Sequence, residues 1–471
     1  MANVINTRVA SLHKVPVFKA SKPDELTPLK VLELIELHRG FMTRYNLLME
    51  YFKGIHAISS RVMEDSKPNN RPVDNFAEYI TKVKTGYFMG TPVTYDMKDQ
   101  KLMEMLKDVL DYNDEQDNNS ELAKLSSIFG HAFELHWVDK DGELRFKYVP
   151  PTEMFMIYDR DVEQTPLGAV RYYTVDLDEG KMTFAEVYTA TETIYYEGIN
   201  DKLNETKRVL HPFKDIPVVE FKNNDERIGD FENVVTLIDA YEVVMADAIN
   251  EVQYFNDAYL VVKNLLATDK EDIVDMKNNR IISLDENGTA EWLVKNINDG
   301  HVQNVLDRIQ ADIHRFSNTP NLTDESFSGN LSGVAIKFKL WGLEQDAVNK
   351  ERKFKKGLQR RFELIANALN RKMPNAFDWR EVKVKFKRNI PTNVLEQSQI
   401  VANVNGVVSK KTLLSILPFV ENINEELEAV EKEEQEQIEK FGFTAEPKVN
   451  NTGTPNDGVT EKQKDENGVG V

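Results

Sequence analysis

Residues 230–262 read DFENVVTLIDAYEVVMADAINEVQYFNDAYLVV, a stretch without glycine, proline, lysine or arginine. Apolar or small side chains recur along it at alternating spacings of four and three residues, at Val234, Ile238, Tyr241, Met245, Ala248, Val252, Phe255 and Tyr259. Because an α-helix turns once in about 3.6 residues, this spacing aligns those side chains along one seam. The stretch therefore predicts one long helix of about 45 Å. It would be a core helix in an isolated domain, or a strut that packs against its copies in a ring.

The other faces of this predicted helix carry acidic side chains, at Asp239, Glu242, Asp247 and Glu251. The whole chain has 59 basic and 78 acidic residues, which gives a formal net charge of −19. A protein that grips DNA from outside is usually basic, because it must neutralise phosphates. The composition argues against such a protein. An acidic balance keeps many proteins in solution, and it also suits a channel in which DNA slides without sticking.

A small insert and a second helix follow the predicted strut. Residues 264–299 contain IVDMKNNRIISL, DENG and TAEWLV, which predict the end of a helix and two short strands around an Asn-Gly turn. The next helix, predicted over 301–316, has Val302, Val305, Ile309 and Ile313 in register. Two long helices thus bracket a compact insert.

Mixed helix and strand signals precede the strut. Thr27 and Pro28 are a helix-start signal, and the apolar pattern behind them predicts one helix that continues through Phe52. Further helices are predicted over 73–88, 101–113 and 120–129. HAFELHWV, DKDG and ELRFKYV predict a β-hairpin, and AVRYYTVDL, MTFAEVYTA and TETIYYEG predict three more strands.

A polar segment, SNTPNLTDESFSGNLSG (317–333), follows the second long helix and predicts a loop that is either functional or mobile. Residues 334–372 predict a long basic helix, and WREVKVKFKRNIP predicts an alternating strand with a basic face. The pattern is helical again over 393–438, and the composition after Phe443 predicts a disordered tail. The expected fold class is α+β, mainly α.

The sequence lacks the motifs of common enzymes. It contains no phosphate-binding loop, no dinucleotide fingerprint, no H-E-x-x-H and no G-x-S-x-G, and it has no cysteine. His131 and His136 would face opposite sides of a strand, which disfavours a shared metal site. We therefore expect no enzyme activity, no cofactor and no metal. The chain has no apolar run long enough to span a membrane, and its start predicts no secretory signal.

Four stretches, in one collinear order, carry a resemblance to a known family. They are NNRPVDNFAEYITKVKTGYFMGTPVTY (69–95), GHAFELHWVDKDGELRFKYVPPTEMFMIYD (130–159), HPFKDIPVVEFKNNDERIGDFENVVTLIDAYEVVMADAINEVQYFNDAYLVVKN (211–264) and SGNLSGVAIKFKLWGLE (328–344). They resemble the portal proteins of tailed bacteriophages, in particular the siphophage portal family of Gram-positive hosts. The likeness covers about residues 27–440.

This resemblance implies a portal fold with wing, stem, clip and crown, assembled as a homo-oligomeric ring of about twelve copies, usually a 12-mer. The implied parts are an N-terminal arm (1–26), a wing (27–229), stem helix 1 (230–263), a clip (264–299), stem helix 2 (300–317), a tunnel loop (318–333), the long helix and strand of the wing (334–393), a crown (394–440) and a disordered tail (441–471). The stem seam would be an interface between copies, formed by Val234, Ile238, Tyr241, Met245, Val252 and Phe255.

The residues that the resemblance implies to face DNA lie in and beside the tunnel loop: Asn318, Thr319, Asn321, Thr323, Asp324, Glu325, Ser326, Ser328, Asn330, Lys337 and Lys339. The two lysines could touch phosphates, or they could pair with acidic residues of a neighbouring copy. Acidic candidates for the channel wall are Asp239, Glu242, Asp247 and Glu251.

The partners implied are double-stranded DNA that passes without sequence-specific contact, the terminase large subunit, a head-completion adaptor, and capsid and scaffolding proteins. The location implied is the virion, at a capsid vertex, after assembly in the host cytoplasm. One alternative is another head-completion or capsid-associated protein, which would lack paired struts around an insert. A second alternative is a nuclease or nucleotidyltransferase, which would need an acid cluster on adjacent strands.

Overall fold

The computed structural model describes residues 12, 15 and 17–441, apart from 65–66, 179, 200–201, 256–258, 266–269, 272–273, 275–277, 279–283, 294–298, 323–332, 372–376, 390–393, 418–419 and 421–422. The chain divides into two compact units, Met1–Ile390 and Pro391–Val471. In the part of the chain described, no helix is both long enough and apolar enough to cross a membrane.

A six-stranded sheet lies in the first unit. Its strands are β1 (Phe18–Lys19), β5 (Met154–Tyr158), β6 (Pro166–Leu177), β7 (Gly180–Tyr188), β8 (Glu192–Ile199) and β9 (Asn204–Leu210), in the order β1-β5-β6-β7-β8-β9. Only β1 and β5 are parallel neighbours. The three strands predicted from β-branched and aromatic residues, β6 to β8, are confirmed. The fully exposed strand β9 was missed, because it has no apolar face to reveal it.

Helix α1 (Pro28–Arg39) begins as predicted, since the Thr27 hydroxyl accepts a hydrogen bond from the backbone N–H of Lys30. The prediction that it continues through Phe52 is wrong. The helix ends at Arg39, and a separate helix, α2 (Met42–Phe52), follows. Packing explains the break, because Ile35 of α1 is buried with the six-stranded sheet, whereas Leu48 of α2 is buried in a different core.

That second core, called the helical core below, includes Leu48, Ile80, Ile128, Ile238 and Phe362. Helices α3 (Phe76–Met89), α4 (Gln100–Tyr112) and α5 (Glu115–Phe129) contribute to it, beside a three-stranded sheet. The predicted hairpin is confirmed in β3 (His131–Val138) and β4 (Leu144–Val149), which pair antiparallel. Strand β10 (Val218–Lys222) flanks β3 on its other side. Strand β2 (Thr94–Asp96) is not part of this sheet, because it pairs with residues 383–385.

The predicted strut is shorter than expected at both ends. A single 3-10 turn, Glu232–Val234, precedes helix α6 (Val235–Phe255), and strand β11 begins at Tyr259. Val261 and Val262 therefore pair in a sheet with Glu291 and Ala290 instead of extending the helix. Short β-branched runs fit a strand as well as a helix, and the pairing partner decides between them.

The insert after α6 is built around one antiparallel pair, β11 (Tyr259–Leu265) and β12 (Leu284–Leu293). The predicted Asn-Gly turn is wrong, because Asn287 and Gly288 lie inside the continuous strand β12. The second long helix, α7 (Asp299–Phe316), is confirmed and packs against α6.

The predicted helix over 334–372 is two helices, α8 (Gly333–Lys339) and α9 (Trp341–Leu369), which are separated at Leu340. Helix α9 lies close to strand β10, because a Cβ at Gly357 would come within 2.6 Å of the Phe221 ring. The predicted basic strand is reduced to β13 (Lys383–Lys385), which pairs with β2. The second unit contains α10 (Val394–Val404), α11 (Lys410–Ile416), whose N-cap is Ser409, and α12 (Ile423–Phe441).

Candidate functional site

The seam predicted along α6 packs, in its first half, inside the chain itself. Val234 and Ile238 are fully buried in the helical core, Tyr241 is buried beside them, and Met245 packs at its edge. The predicted role of Val234, Ile238 and Tyr241 as contacts between copies is corrected, because these side chains already fill an intramolecular core, whereas for the half-buried Met245 that role stays a prediction. Val252, farther along the helix, is 56% exposed. The side chain of Phe255 lies outside the described residues.

Two of the four acidic channel candidates point into the protein, which corrects their assignment to a channel wall. Asp239 is buried and accepts a hydrogen bond from the Tyr51 hydroxyl. Glu242 is buried and pairs with His56, and it also accepts from the backbone N–H of Asp74 at 3.1 Å. Glu242 follows Ile238 by one helical turn, so the spacing itself could have placed it on the buried face.

The other two acidic candidates lie on the outer part of α6. Asp247 is exposed and pairs with Arg61, and Glu251 is half-buried. Ile249 and Val252 are exposed too. Because successive residues of an α-helix are about 100° apart, Ile249 and Val252 lie on the side of α6 that continues its buried seam, whereas Asp247 and Glu251 lie on nearly the opposite side.

The pair between His56 and Glu242 makes the stability of the folded chain depend on pH. Burial opposes a charge on the imidazole, but the hydrogen bond and negative charge of Glu242 outweigh it, so the pKa of His56 is raised above 6.5. The His56 Nε2 donates to the Tyr51 carbonyl at 2.9 Å, which orients Nδ1 toward Glu242.

We expect His56→Gln to reduce the free energy of unfolding most at pH 6 and progressively less toward pH 8.5. A raised folded-state pKa contributes stability that is present below the unfolded value and is lost as pH rises through the folded value. Urea denaturation across this range measures the difference. His211→Gln is the matched control with the opposite sign, because burial lowers the pKa of His211. Parallel pH profiles for the two variants would contradict the assignment.

The start of the predicted tunnel loop is held by α3 and α7. The Tyr79 hydroxyl donates to the Pro320 carbonyl at 2.9 Å and accepts from the backbone N–H of Leu322 at 3.0 Å. Thr319 is buried, and its backbone exchanges hydrogen bonds with His314. Its side chain therefore does not face a channel, which corrects that prediction.

Asn318 is exposed in a left-handed backbone conformation, with its amide 3.3 Å from a carboxylate oxygen of Asp346, and Asn321 is half-buried. The other predicted loop residues lie outside the described residues: Thr323, Asp324, Glu325, Ser326, Ser328 and Asn330. Lys337 and Lys339 are described and exposed, on α8.

The described structure also contains buried ionic clusters that the sequence analysis missed. Arg361 of α9 is fully buried and donates to Glu134 of β3, to Glu115 of α5 and to Asn119. Burial opposes the charge of Glu134, but Arg361 and His136 outweigh it and lower the pKa of Glu134 to about 2. A signal existed, because Glu134 is an acid in the middle of an apolar strand.

A second buried cluster lies just before the N-terminal end of α6. Asp230 pairs with Lys350 of α9 and with Lys84 of α3, and it accepts a hydrogen bond from the Ser127 hydroxyl. Burial opposes the charge of Asp230, but the two lysines outweigh it and hold its pKa well below the usual range. Two residues later, Glu232 binds Arg44 of α2 through both carboxylate oxygens, at 2.6 and 2.9 Å. These ion pairs hold the segment before the N-terminal end of α6 against α9, α3 and α2.

The histidines of β3 belong to such clusters. His131 binds Glu220, and His136 binds Glu134, at 2.8 and 2.9 Å. Burial lowers the pKa of both imidazoles. Among the residues that the structure describes, no group of three His, Cys, Asp or Glu side chains is placed to hold a metal ion.

Comparison with known proteins gives one consistent result. The sequence profile of the family described as "Phage portal protein, SPP1 Gp6-like" matches residues 33–440. The chain is 26% identical over 467 residues to the portal protein of Bacillus phage SPP1, which covers 93% of this chain and 92% of that protein. It is 25% identical over 383 residues to the portal protein of Clostridium phage phiCD119, which covers 76% of this chain and 83% of that protein. Because the profile matches most of the chain, from before the strut to beyond the basic helix, this chain belongs to the SPP1 Gp6-like family of phage portal proteins.

Proposed function

We propose that this chain is the subunit of a portal ring at one vertex of a phage capsid, through which double-stranded DNA is packaged and later ejected. The observation that carries the proposal is the family match over residues 33–440. Portal proteins are structural components of the virion, and the chemistry of packaging would belong to a separate terminase. The chain would serve as a conduit and a docking platform.

The parts of the chain would divide this work. Helices α6 and α7 would form the stem, and the β11-β12 insert between them would be the clip that docks the terminase large subunit and then a head-completion adaptor. The described part of residues 27–229, together with α8, α9 and β13, would form the wing, and residues 394–440 the crown. Support for this division comes from the packing of α7 against α6 and from the position of the two-stranded sheet between them in the chain.

The channel surface would combine few fixed charges with a polar loop. Since Asp239 and Glu242 are buried, Asp247 and Glu251 remain the acidic candidates on α6. Lys337 and Lys339 would stand just beyond the tunnel loop, where they could contact phosphates weakly enough to let DNA slide.

The direct test is the mass and top-view image of the purified particle. A closed ring with an axial hole, of about twelve copies, is expected. A monomer, or a closed shell without a hole, would overturn the proposal and favour a capsid-associated protein. Assembly with capsid and scaffolding proteins in the host cytoplasm would place the ring at a vertex.

Replacing residues 324–330 with a Gly-Ser segment of equal length is expected to leave rings intact and to abolish DNA retention in capsids. The replacement spares Leu322 and Pro320, whose hydrogen bonds to Tyr79 anchor the start of the loop. Ring formation is measured by native mass spectrometry, and packaging by protection of DNA from nuclease. A chain that ends after residue 444 is the control, and it should retain both properties. Full packaging by the loop variant would refute the role of the loop.

A further inference from the structure

One side of helix α9 exposes only amide and cationic side chains over more than four turns. These side chains recur at spacings of four and three residues, at Gln345, Asn349, Arg352, Lys356 and Gln359, and all of them are exposed. The spacing places them in one row along the helix. The row lies opposite the buried side of α9, which includes Phe354 and Leu358. The next position of the row is Glu363, which already pairs with Arg360.

A second row of cations lies on strand β13 and the residues that follow it. Exposed positions alternate there with buried or half-buried ones, and Lys383, Lys385 and Lys387 are the exposed ones. Strand residues two positions apart lie about 6.6 Å apart on one face. The three lysines therefore form a regular row of positive charges along one edge.

The inward residues of this segment hold it against α9. The ring centre of Phe386 lies 6.4 Å from that of Phe354, and Arg388 donates to Glu344 at 3.0 Å and to Glu351 at 2.9 Å. Lys355 follows Glu351 by one turn, so it lies on the flank of α9 that faces the strand. The two rows thus belong to one surface, which we call the basic face: Gln345, Asn349, Arg352, Lys355, Lys356, Gln359, Lys383, Lys385 and Lys387.

The cations of the basic face are poorly neutralised by the chain itself. Lys385 comes no closer than 3.8 Å to Asp96, and both of these side chains are exposed. Lys356 lies near Asp225, but that carboxylate pairs with Lys353 at 2.5 Å. Among the residues that the structure describes, the other cations of the basic face form no ion pair, and the nearby Glu344 and Glu351 are taken by Arg388.

This combination of side chains fits a polyanion with a phosphate backbone. Arginine, lysine, asparagine and glutamine are the usual donors to the phosphate oxygens of DNA, and duplex DNA carries about one negative charge per 1.7 Å of its axis. An acidic protein fits less well, because the centre of a protein interface is rich in aromatic side chains and depleted of lysine. Between residues 342 and 389, every large apolar side chain described is buried or half-buried.

The negative net charge of the chain does not oppose such a contact locally. The formal charge is −19, but at physiological ionic strength a charge in solvent is screened within about 8 Å. The acidic remainder of the surface instead limits the contact to the basic face. The contact should therefore be weak and strongly dependent on salt.

We propose that the basic face is a second contact for double-stranded DNA, which binds the phosphate backbone without reading the sequence. This inference rests on the proposed portal ring, in which α9 and β13 belong to the wing, whereas α6, α7 and the tunnel loop form the channel. The basic face would hold duplex DNA outside the channel, in addition to the duplex that passes through it.

The experiment measures the affinity of preassembled rings for a closed circular duplex, which has no end that can enter the channel. One variant removes the strand row, with Lys383→Gln, Lys385→Gln and Lys387→Gln, and a second removes the helix row, with Arg352→Gln and Lys356→Gln. The matched control combines Lys181→Gln, Lys202→Gln and Lys207→Gln, because these lysines are also exposed but lie on or beside the six-stranded sheet.

Wild-type and control rings should bind the closed circle as tightly as a linear duplex of the same sequence. Each face variant should still form rings and should bind the circle about tenfold or more weakly at about 0.1 M salt. In a salt titration, the slope of log affinity against log salt concentration should become less steep by about 2 in the strand variant.

Unchanged affinity in both face variants would overturn the proposal. Binding of the linear duplex alone by wild-type rings would refute it as well, since the contact would then lie in the channel. Loss of rings from both face variants would assign these cations to a contact between copies. Poly-glutamate that binds as tightly as the duplex, at equal charge, would identify an acidic protein as the partner instead. A wild-type chain without rings contradicts the portal function itself, and the affinity of that chain for the closed circle then decides the basic face separately.

Discussion

Replacing Arg361 with methionine is expected to destabilise the folded chain by about 3–5 kcal/mol at pH 7. The guanidinium is fully buried, and it donates to Glu134 at 2.5 and 2.9 Å and to Glu115 at 2.9 Å. It also lies 4.8 Å from the centre of the Phe146 ring. Methionine would fill much of the volume but would leave two carboxylates buried without their cation. An uncompensated buried charge is among the most destabilising local changes in a folded protein.

The neighbouring arginine supplies the control for this variant. Arg360 pairs with Asp215 at 2.6 Å and with Glu363 at 2.7 Å, but its side chain is partly exposed. Arg360→Met should therefore cost no more than about 1 kcal/mol. Urea denaturation of both variants gives the comparison. Equal losses in the two would show that the buried cluster contributes nothing beyond a surface ion pair.

Acid should reduce the difference between wild type and Arg361→Met. The pKa of Glu134 is lowered from 4.5 to about 2 in the folded chain, although burial acts in the opposite direction. A lowered carboxyl pKa contributes stability that is present above the unfolded value and is lost as pH falls through the folded value. The advantage of the wild type should therefore decline between pH 4.5 and 2.

Replacing Asp230 with asparagine is the second change with a large expected effect, also about 3–5 kcal/mol. It removes the carboxylate that pairs with Lys350, and it leaves that lysine near Lys84 with a like charge. The amide is uncharged and places an NH2 donor where the carboxylate has its second oxygen, so it cannot replace both acceptors. Because Asp230 lies just before the N-terminal end of α6, losing its ion pairs should destabilise the first turn of that helix.

A nearby ion pair on the same helix is the control for Asp230→Asn. Asp225 pairs with Lys353 of α9 just as Asp230 pairs with Lys350, but the Asp225 side chain is 71% exposed. Asp225→Asn should cost less than about 1 kcal/mol in urea denaturation. Hydrogen exchange of the backbone amides along α6 reports on this local change, and the exchange should be faster only in Asp230→Asn. An unchanged exchange rate along α6 in Asp230→Asn would contradict the role of Asp230 at the N-terminal end of that helix.

The elements that could be predicted from sequence are those whose signals are local. The β3-β4 hairpin follows from apolar and β-branched runs on both sides of DKDG, and α1 follows from its cap at Thr27. The end of α6 could not be predicted, because Val261 and Val262 become a strand only through pairing with Glu291 and Ala290. Local preference is weak where a distant partner decides the structure.

The candidate site was harder to predict for the same reason. Asp239 and Glu242 looked like an exposed acidic face, since their partners Tyr51 and His56 lie 188 and 186 residues earlier in the chain. Lys337, Lys339 and Trp341 are all exposed, which residue type alone predicts for the lysines but not for the tryptophan. The family itself was predictable, because four collinear stretches and the order of the parts carry more information than any single residue.

The contacts of Arg361 with Glu115 and Glu134 also affect how the chain folds during synthesis. Its carboxylates at Glu115 and Glu134 lie 246 and 227 residues before the arginine that neutralises them. A ribosome releases the amino-terminal part of the chain long before α9 emerges, so that part cannot complete its core during most of translation. We therefore expect chains that end before α9 to remain only partly folded and open to proteases, so a buried contact that forms late in synthesis would favour complete chains over truncated ones.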